Sequence, residues 1–158
     1  MRSEYLTFGA PFIGQDEIAE VLDTIKSGWL GTGPKTARFE RDFAQYQGVK
    51  HCVALSSCTA ALHLSLLAVG IKKGDEVIVP AMTFCATANA VVHAGAKPVF
   101  ADITLPEQTL DPQDVEKKIT EKTRAIIPVH LYGYPADMDA LSTIARRHDL
   151  HIIPPLIL

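Results

Sequence analysis

Hydrophobic positions along the chain follow two periods, one typical of helices and one typical of buried strands. A first helix is predicted over residues 12–27, because its apolar residues recur at i, i+3, i+4 and i+7 and so share one face. These residues are Ile18, Val21, Leu22 and Ile25. Similar patterns predict further helices over 34–47 and over 137–148. They also predict a helix from 60 to about 70, one that ends at 93 and a short one that starts near 112.

Short apolar runs rich in β-branched residues lie between these helices. They are centred near Val53, Ile78, Val99, Ile126 and Ile152. Runs of this kind predict buried strands, and strands that alternate with helices predict an α/β fold with a mostly parallel sheet and helices on both faces. We interpret 1–158 as one partial domain, with N-terminal helices over 1–48, the α/β sheet over 49–153 and an atypical tail over 154–158.

A junction of small polar residues joins the predicted strand 51–55 to the helix pattern that follows it. The junction contains Ser56, Ser57, Cys58 and Thr59. The N–H groups of a helix's first turn have no partner within the helix, and the helix dipole favours an anion there. Ser and Thr are also preferred N-caps. The junction therefore predicts either a phosphate-holding helix start or a plain cap.

Composition narrows the class of protein. The 158 residues include 47% hydrophobic and 21% charged residues, which is ordinary for a globular domain with a core. The net charge is −3 and no basic block stands out, so nucleic acid or an anionic membrane is disfavoured as a partner. The longest apolar runs are well under the about 18 residues of a membrane span.

The cysteines are odd in number and lack the spacing of a metal site, which favours reduced thiols in the cytoplasm over disulfides or zinc. They are Cys52, Cys58 and Cys85. One dinucleotide-binding motif and one hydrolase motif are absent. No G-x-G-x-x-G follows a strand and no G-x-S-x-G occurs, which disfavours dinucleotide enzymes and serine hydrolases.

The glycine-rich stretch 28–36 resembles a nucleotide P-loop only superficially. Pro34 separates Gly33 from Lys35, and a helix precedes the stretch where the motif requires a strand. One interpretation is a plain connection, with Pro34 as the first residue of the next helix. The other is a turn that lets a ligand approach its glycines beside the single tryptophan, Trp29.

Two further candidates follow predicted strands. Phe84 lies just past the strand 77–80, where open α/β sheets bind ligands, although a core position would also suit a phenylalanine. His130 ends the predicted strand 124–130, and the sequence leaves open whether it is functional or structural.

Four segments, 27–34, 56–62, 74–84 and 128–133, occur in an order that resembles the DegT/DnrJ/StrS family of pyridoxal-phosphate sugar aminotransferases. The resemblance implies the large domain of a fold-type-I transferase, working as a homodimer with active sites at the subunit interface. It implies pyridoxal 5′-phosphate (PLP) as the cofactor. It also implies amino transfer from a donor such as glutamate to a nucleotide-linked keto sugar.

Site residues follow from the same resemblance. Ser57, Cys58 and Thr59 would bind the cofactor phosphate. Phe84 would stack on the pyridine ring. The substrate side would comprise Trp29, Gly31, Thr32, Gly33, His130 and Tyr132.

The end of the chain departs from the family pattern. After the strand near Ile152 the family continues with Glu-Asp-Ala-Ala, whose Asp pairs with the pyridine nitrogen, and the Schiff-base lysine follows much later. This chain instead reads Pro154, Pro155, Leu156, Ile157 and Leu158. Because both groups are missing from the printed sequence, we expect a truncated aminotransferase that does not transaminate by itself. The alternatives are a non-catalytic module that pairs with an intact homologue, and a sugar dehydratase of the same family.

Overall fold

The computed structural model describes residues 9–154 and divides the chain into two compact units, Met1–Ala54 and Leu55–Leu158. The first unit contains α1 (Gln15–Ser27) and α2 (Pro34–Gln47). The second unit contains α3 (Cys58–Ala68), β1 (Glu76–Pro80), α4 (Ala86–His93), β2 (Lys97–Ala101), α5 (Pro112–Lys118), β3 (Thr123–Ile126), a 3₁₀ turn (Leu131–Gly133), α6 (Met138–Arg147) and β4 (His151–Ile152). Of the predicted tail only Pro154 is described, and 155–158 lie outside the described residues.

The two helices of the first unit end where their glycines predict. Gly28 and Gly48 follow α1 and α2 with φ of 72° and 66°, the left-handed conformation that closes a helix and that glycine adopts without strain. The start of α1 is three residues later than predicted. There the Gly14 amide donates to Glu17 Oε2 at 2.6 Å, which fixes the first turn.

The second unit is built on a four-stranded sheet in the order β2-β1-β3-β4, with every pair parallel. Alternate residues of β1 and β3 enter two separate cores. One core joins Val77, Val79 and Ala125 to the buried faces of α3 and α4. The other joins Ile78 and Ile126 to α5 and α6. The prediction of an α/β fold with helices on both faces of a parallel sheet is therefore confirmed.

The order of the strands identifies where such a sheet binds ligands. From β1 the chain runs outward to β2 and then returns past β1 to β3, so the winding reverses between β1 and β3. Ligands of open α/β sheets bind at this reversal, beyond the carboxyl ends of the strands, an edge we call the carboxyl edge. The loops 81–85 and 127–137 leave β1 and β3 at this edge. The short connection 69–75 joins α3 to the start of β1, so the N-terminus of α3 also lies at the carboxyl edge.

The predicted strand 51–55 does not form, and this prediction is wrong. A strand requires a neighbour whose carbonyls accept its amides. Here the Ala54 amide donates instead to the Glu40 carboxylate of α2 at 2.8 Å, and Val53 is 73% exposed. The predicted strand 124–130 is too long at its C-terminal end. The ladder of hydrogen bonds between β1 and β3 ends where Ile127 N donates to Ile78 O at 2.9 Å, one residue after β3, because Pro128 has no amide to continue it.

A buried carboxylate fastens the opposite, amino edge of the sheet. Glu76, the first residue of β1, accepts a hydrogen bond from Thr120 Oγ1 at 2.7 Å and one from Lys97 Nζ at 2.9 Å. The Thr120 hydroxyl, followed by the Lys97 ammonium, lowers the pKa of the Glu76 carboxyl. One side chain therefore ties the starts of β1 and β2 to the segment that leads into β3.

Candidate functional site

The start of α3 combines a capping side chain with backbone amides that have no hydrogen-bond acceptor among the described residues. Ser57 is extended, its Oγ accepts from the Ala60 amide at 3.1 Å, and its carbonyl accepts from the Ala61 amide. Between residues 9 and 154, no protein acceptor meets the amides of Cys58 and Thr59. Cys58 is exposed and Thr59 is half-buried. The junction therefore has the capped first turn that the sequence predicts, with two amides left for an anion.

Phe84 is presented to solvent at the carboxyl edge. Its side chain is 67% exposed, so the alternative of a core position is wrong. The loop that carries it is held at both ends. The Ala81 amide donates to Ala101 O at 2.8 Å, and the hydroxyls of Thr83 and Thr87 are 3.0 Å apart, with Thr87 fully buried. These two threonines were not identified from the sequence, although their i, i+4 spacing across a helix start was a usable signal.

His130 and Tyr132 lie on the loop that follows β3, at the same edge. His130 Nδ1 accepts from the Ala136 amide at 3.0 Å, so the neutral ring carries its proton on Nε2 and the loop is closed by this bond. Tyr132 is 81% exposed and has a left-handed φ of 53°. The structure therefore places the start of α3, Phe84 and this loop at one edge of the sheet.

The glycine-rich turn belongs to the first unit and is organised around Trp29. The indole Nε1–H donates to Thr32 O at 2.9 Å. A Cβ on Gly33 would lie 2.0 Å from Nε1, and the φ of Gly33, −174°, is extended backbone that any residue adopts. Gly33 is therefore required by the indole and not by the backbone. A Cβ on Gly31 would meet nothing within 4 Å.

A cavity of about 570 Å³, which we call the Trp29 cavity, lies beside this turn. Its lining includes the indole, Pro34 and three cations of α2. The cations are Lys35, Arg38 and Arg41, which the sequence places at i, i+3 and i+6 and therefore near one face of the helix. They were not identified from the sequence as candidates, although this spacing was visible.

Two of these cations form ion pairs with carboxylates of α1. Glu20 is bonded to Lys35 and, at 2.9 Å, to Arg38, and Asp23 lies 2.9 Å from Lys35. Lys35 first and Arg38 second hold the pKa of Glu20 at about 2, below its ordinary 4.5. Arg41 makes no ion pair with any residue that the structure describes.

Residues 9–154 contain no group of three or more His, Cys, Asp or Glu side chains placed to hold a metal ion. Cys52, Cys58 and Cys85 are free thiols. None of the described helices is both long and apolar enough to cross a membrane.

Comparisons with known proteins identify the family to which this chain is similar. Residues 11–154 match the DegT/DnrJ/EryC1/StrS aminotransferase family. The spore coat polysaccharide biosynthesis protein SpsC of Bacillus subtilis is 48% identical over 152 residues, which cover 96% of this chain and 39% of SpsC. The chain therefore spans about two fifths of the length of this curated relative.

Solved structures show the same fold. DesV of S. venezuelae has a TM-score of 0.83 at 47% identity, over 87% of this chain and 37% of DesV. The PLP form of the putative sugar aminotransferase Spr1654 from Streptococcus pneumoniae has a TM-score of 0.85 at 44% identity, over 92% of this chain and 38% of Spr1654. These neighbours are PLP-dependent aminotransferases of fold type I. With its family match extending over nearly the whole described chain, this protein belongs to the DegT/DnrJ/EryC1/StrS aminotransferase family.

Proposed function

We propose that the protein from which this sequence comes is a PLP-dependent sugar aminotransferase, and that this chain supplies the groups that hold the cofactor phosphate and one face of its ring. The amino donor would be a compound such as glutamate and the acceptor a keto sugar on a nucleotide carrier. The family, SpsC and DesV support the reaction class, and Spr1654 is known in PLP and PMP forms.

The start of α3 is the observation that carries this proposal. The free amides of Cys58 and Thr59 point out of a helix N-terminus at the carboxyl edge of the sheet, where a phosphate gains hydrogen bonds and a favourable dipole. The Ser57 oxygen caps the helix, while its hydroxyl proton remains available as a further donor. The residues present therefore fit the phosphate group of the proposed cofactor.

Phe84 and the loop after β3 supply the remaining contacts. The exposed Phe84 ring offers an apolar face to the cofactor ring, and its threonine-fastened loop keeps that face in place. Bound PLP supplies an electron sink for the amino donor. His130 Nε2–H, oriented by the bond that Nδ1 accepts, and the Tyr132 hydroxyl are the donors that this chain presents toward a substrate.

The 158-residue polypeptide is not expected to transaminate by itself. The printed sequence contains no lysine in the family's Schiff-base motif and no carboxylate in the position that pairs with the pyridine nitrogen. Without these groups the chain can bind the cofactor but cannot move the proton between donor and cofactor. Turnover of an amino donor and a keto sugar by the purified polypeptide would contradict this expectation.

Binding of pyridoxamine 5′-phosphate by equilibrium dialysis tests the cofactor site. This probe lacks the aldehyde of PLP, so it does not link to surface lysines. Thr59→Val removes the side-chain hydroxyl as a phosphate donor and keeps the backbone amide. We expect the dissociation constant to rise about tenfold, which corresponds to the loss of one hydrogen bond to a charged group. Thr143→Val is the matched control, since Thr143 is an exposed threonine of α6.

Phe84→Ala tests the ring contact in the same assay. We expect weaker binding of pyridoxamine 5′-phosphate and unchanged binding of inorganic phosphate, because only the former has a ring to stack. Inorganic phosphate should displace the probe from the unmodified chain. If it does not, or if Thr59→Val binds as tightly as Thr143→Val, the proposed cofactor site is wrong.

A further inference from the structure

We propose that His63 and His93 together bind a divalent transition-metal ion such as Zn²⁺ or Ni²⁺, and that this ion joins α3 to α4. His63 lies in the middle of α3, and His93 is the last residue of α4. Both helices belong to the second unit, so the pair lies within one compact body. The site uses none of the residues to which the proposed function assigns the cofactor or the substrate.

The two imidazole rings are close enough to share one metal ion. Their centroids are 6.1 Å apart. A metal bonded to one nitrogen of each ring lies about 3.2 Å from each centroid, because metal–imidazole bonds are about 2.0–2.1 Å long, so the centroids of a bridged pair lie within about 6.4 Å of each other. The ring planes meet edge to face at 72°. Rotation of the exposed His93 ring about χ2 turns a nitrogen toward His63 without movement of either helix.

Both imidazoles are available as ligands. The rings of His130 and His148 have hydrogen-bond partners, whereas no hydrogen bond or ion pair within residues 9–154 engages the ring of His63 or His93. His63 is half-buried and His93 is exposed. Water and a dissolved metal ion can therefore reach the pair.

Packing between α3 and α4 fixes the positions from which the two rings project. Leu62 and Leu66 of α3 share one buried core with Ala90 and Val91 of α4. His63 directly follows Leu62 in the chain, so its backbone is held by this core. Ligands that are placed on packed helices lose little conformational freedom when they bind a metal.

The chemistry of the two helices favours a transition metal over Mg²⁺ or Ca²⁺. Imidazole nitrogen suits Zn²⁺, Ni²⁺ and Cu²⁺, whereas Mg²⁺ and Ca²⁺ prefer oxygen ligands. Neither α3 nor α4 contains an Asp, Glu, Lys or Arg residue. The helices thus supply no carboxylate oxygen to the ion and no ammonium or guanidinium group that repels it. Two protein ligands leave the other coordination positions to water, so the ion is exchangeable.

The bound ion stabilises the folded state. About thirty residues separate the two histidines in the sequence, so the unfolded chain does not hold their rings together, and an ion that bridges them binds the folded chain preferentially. The helix α3 begins at Cys58, and α4 begins two residues after Phe84. The ion therefore fastens together the two helices whose first turns adjoin the proposed cofactor contacts.

Calorimetric titration of the untagged chain with Ni²⁺ tests the site. We expect one ion to bind per chain. His63→Gln and His93→Gln should each weaken this binding by at least about tenfold, because one imidazole lacks the effective concentration that the second provides. The double variant should bind no more weakly than the weaker single variant. His51→Gln is the matched control, since His51 is an exposed histidine of the first unit.

His93→Phe separates metal binding from the contact between the rings. Phenylalanine keeps an aromatic ring beside His63 but has no nitrogen that could bind a metal. Without metal we expect its thermal unfolding midpoint to stay close to that of the unmodified chain. The midpoint of the unmodified chain should rise with the concentration of Ni²⁺ and return when a chelator is added, whereas that of His93→Phe should not respond.

The proposal is wrong if both glutamine variants bind Ni²⁺ as tightly as the unmodified chain does. It is also wrong if only one of them weakens binding, because the ion would then be held by a single imidazole. An unfolding midpoint of the unmodified chain that does not rise with Ni²⁺ would show that the ion does not join α3 to α4. None of these measurements contains a cofactor, so their outcome is independent of the dialysis experiment on the phosphate site.

Discussion

At the scale of single residues, the contact between Gly33 and Trp29 shows why a glycine can be required without a special backbone conformation. The φ of Gly33 is extended, so an L-residue would meet no strain from the backbone. The requirement comes from the indole, whose Nε1 occupies the place of a side chain. The sequence left open a plain connection or a turn whose glycines a ligand approaches, and the structure shows that Gly33 lies against the turn's own tryptophan.

Replacing Gly33 by serine should displace the indole without unfolding α2. Serine is at least as good an N-cap as glycine, so helix content and thermal stability should change little. The added Cβ should break the bond from Nε1 to Thr32 O and shift the Trp29 emission to longer wavelength. Gly31→Ser is the control, because a side chain there meets open space. An emission spectrum equal to that of the unmodified chain would contradict this prediction.

At the scale of helices and strands, much of the fold could be predicted because its signals are local. Asp111 caps α5 and Asp137 caps α6, with hydrogen bonds to backbone amides of 2.9 and 3.0 Å. Glycines follow α1 and α2, which end at the predicted residues 27 and 47. The prediction of a strand over 51–55 is wrong because β-branched residues do not specify a partner strand. The Ala54 amide donates to the Glu40 carboxylate instead. Likewise, spacing predicts which residues share a face of α2 but not which cations Glu20 neutralises.

Glu76→Ala should destabilise the sheet of the second unit. The substitution leaves the Lys97 ammonium and the Thr120 hydroxyl without their shared acceptor, at a cost of about 2 kcal/mol for hydrogen bonds to a buried charge. Chemical denaturation monitored by circular dichroism measures this cost. Glu121→Ala is the control, because Glu121 is exposed on the turn before β3. If both variants unfold at the same denaturant concentration, the carboxylate does not fasten the sheet.

The ion pairs of Glu20 predict that the stability of the first unit decreases at acid pH. The folded pKa of Glu20 is depressed to about 2 from 4.5, so its contribution to stability is fully present above pH 4.5 and is lost as the pH falls through about 2. The advantage in unfolding midpoint of the unmodified chain over Glu20→Gln should therefore shrink across this window. The groups are exposed, so salt should reduce the advantage at every pH. An advantage that stays constant from pH 6 to pH 2 would contradict the assignment.

At the scale of the whole molecule, the chain spans about two fifths of the length of its curated relatives. It also exposes the apolar face of α1. No residue of α1 is buried, and the four apolar residues that predicted this helix are each between 43% and 59% exposed. They are Ile18, Val21, Leu22 and Ile25. A contiguous apolar surface of this kind is typical of an interface, as expected both for the homodimer that the family resemblance implies and for a module that pairs with a homologue.

We therefore expect the purified polypeptide to self-associate through α1. Light scattering after gel filtration should show a mass above that of a monomer, 17.2 kDa, that rises with concentration. The double substitution Val21→Lys and Ile25→Lys places two charges on the apolar face, and burying them would cost more than the contact contributes, so the mass should fall toward that of a monomer. Gln45→Lys and Gln47→Lys add the same charge at exposed polar positions of α2 and should leave association unchanged. Equal masses for the two double variants would show that association does not depend on the α1 face, and a monomeric unmodified chain would contradict the prediction outright.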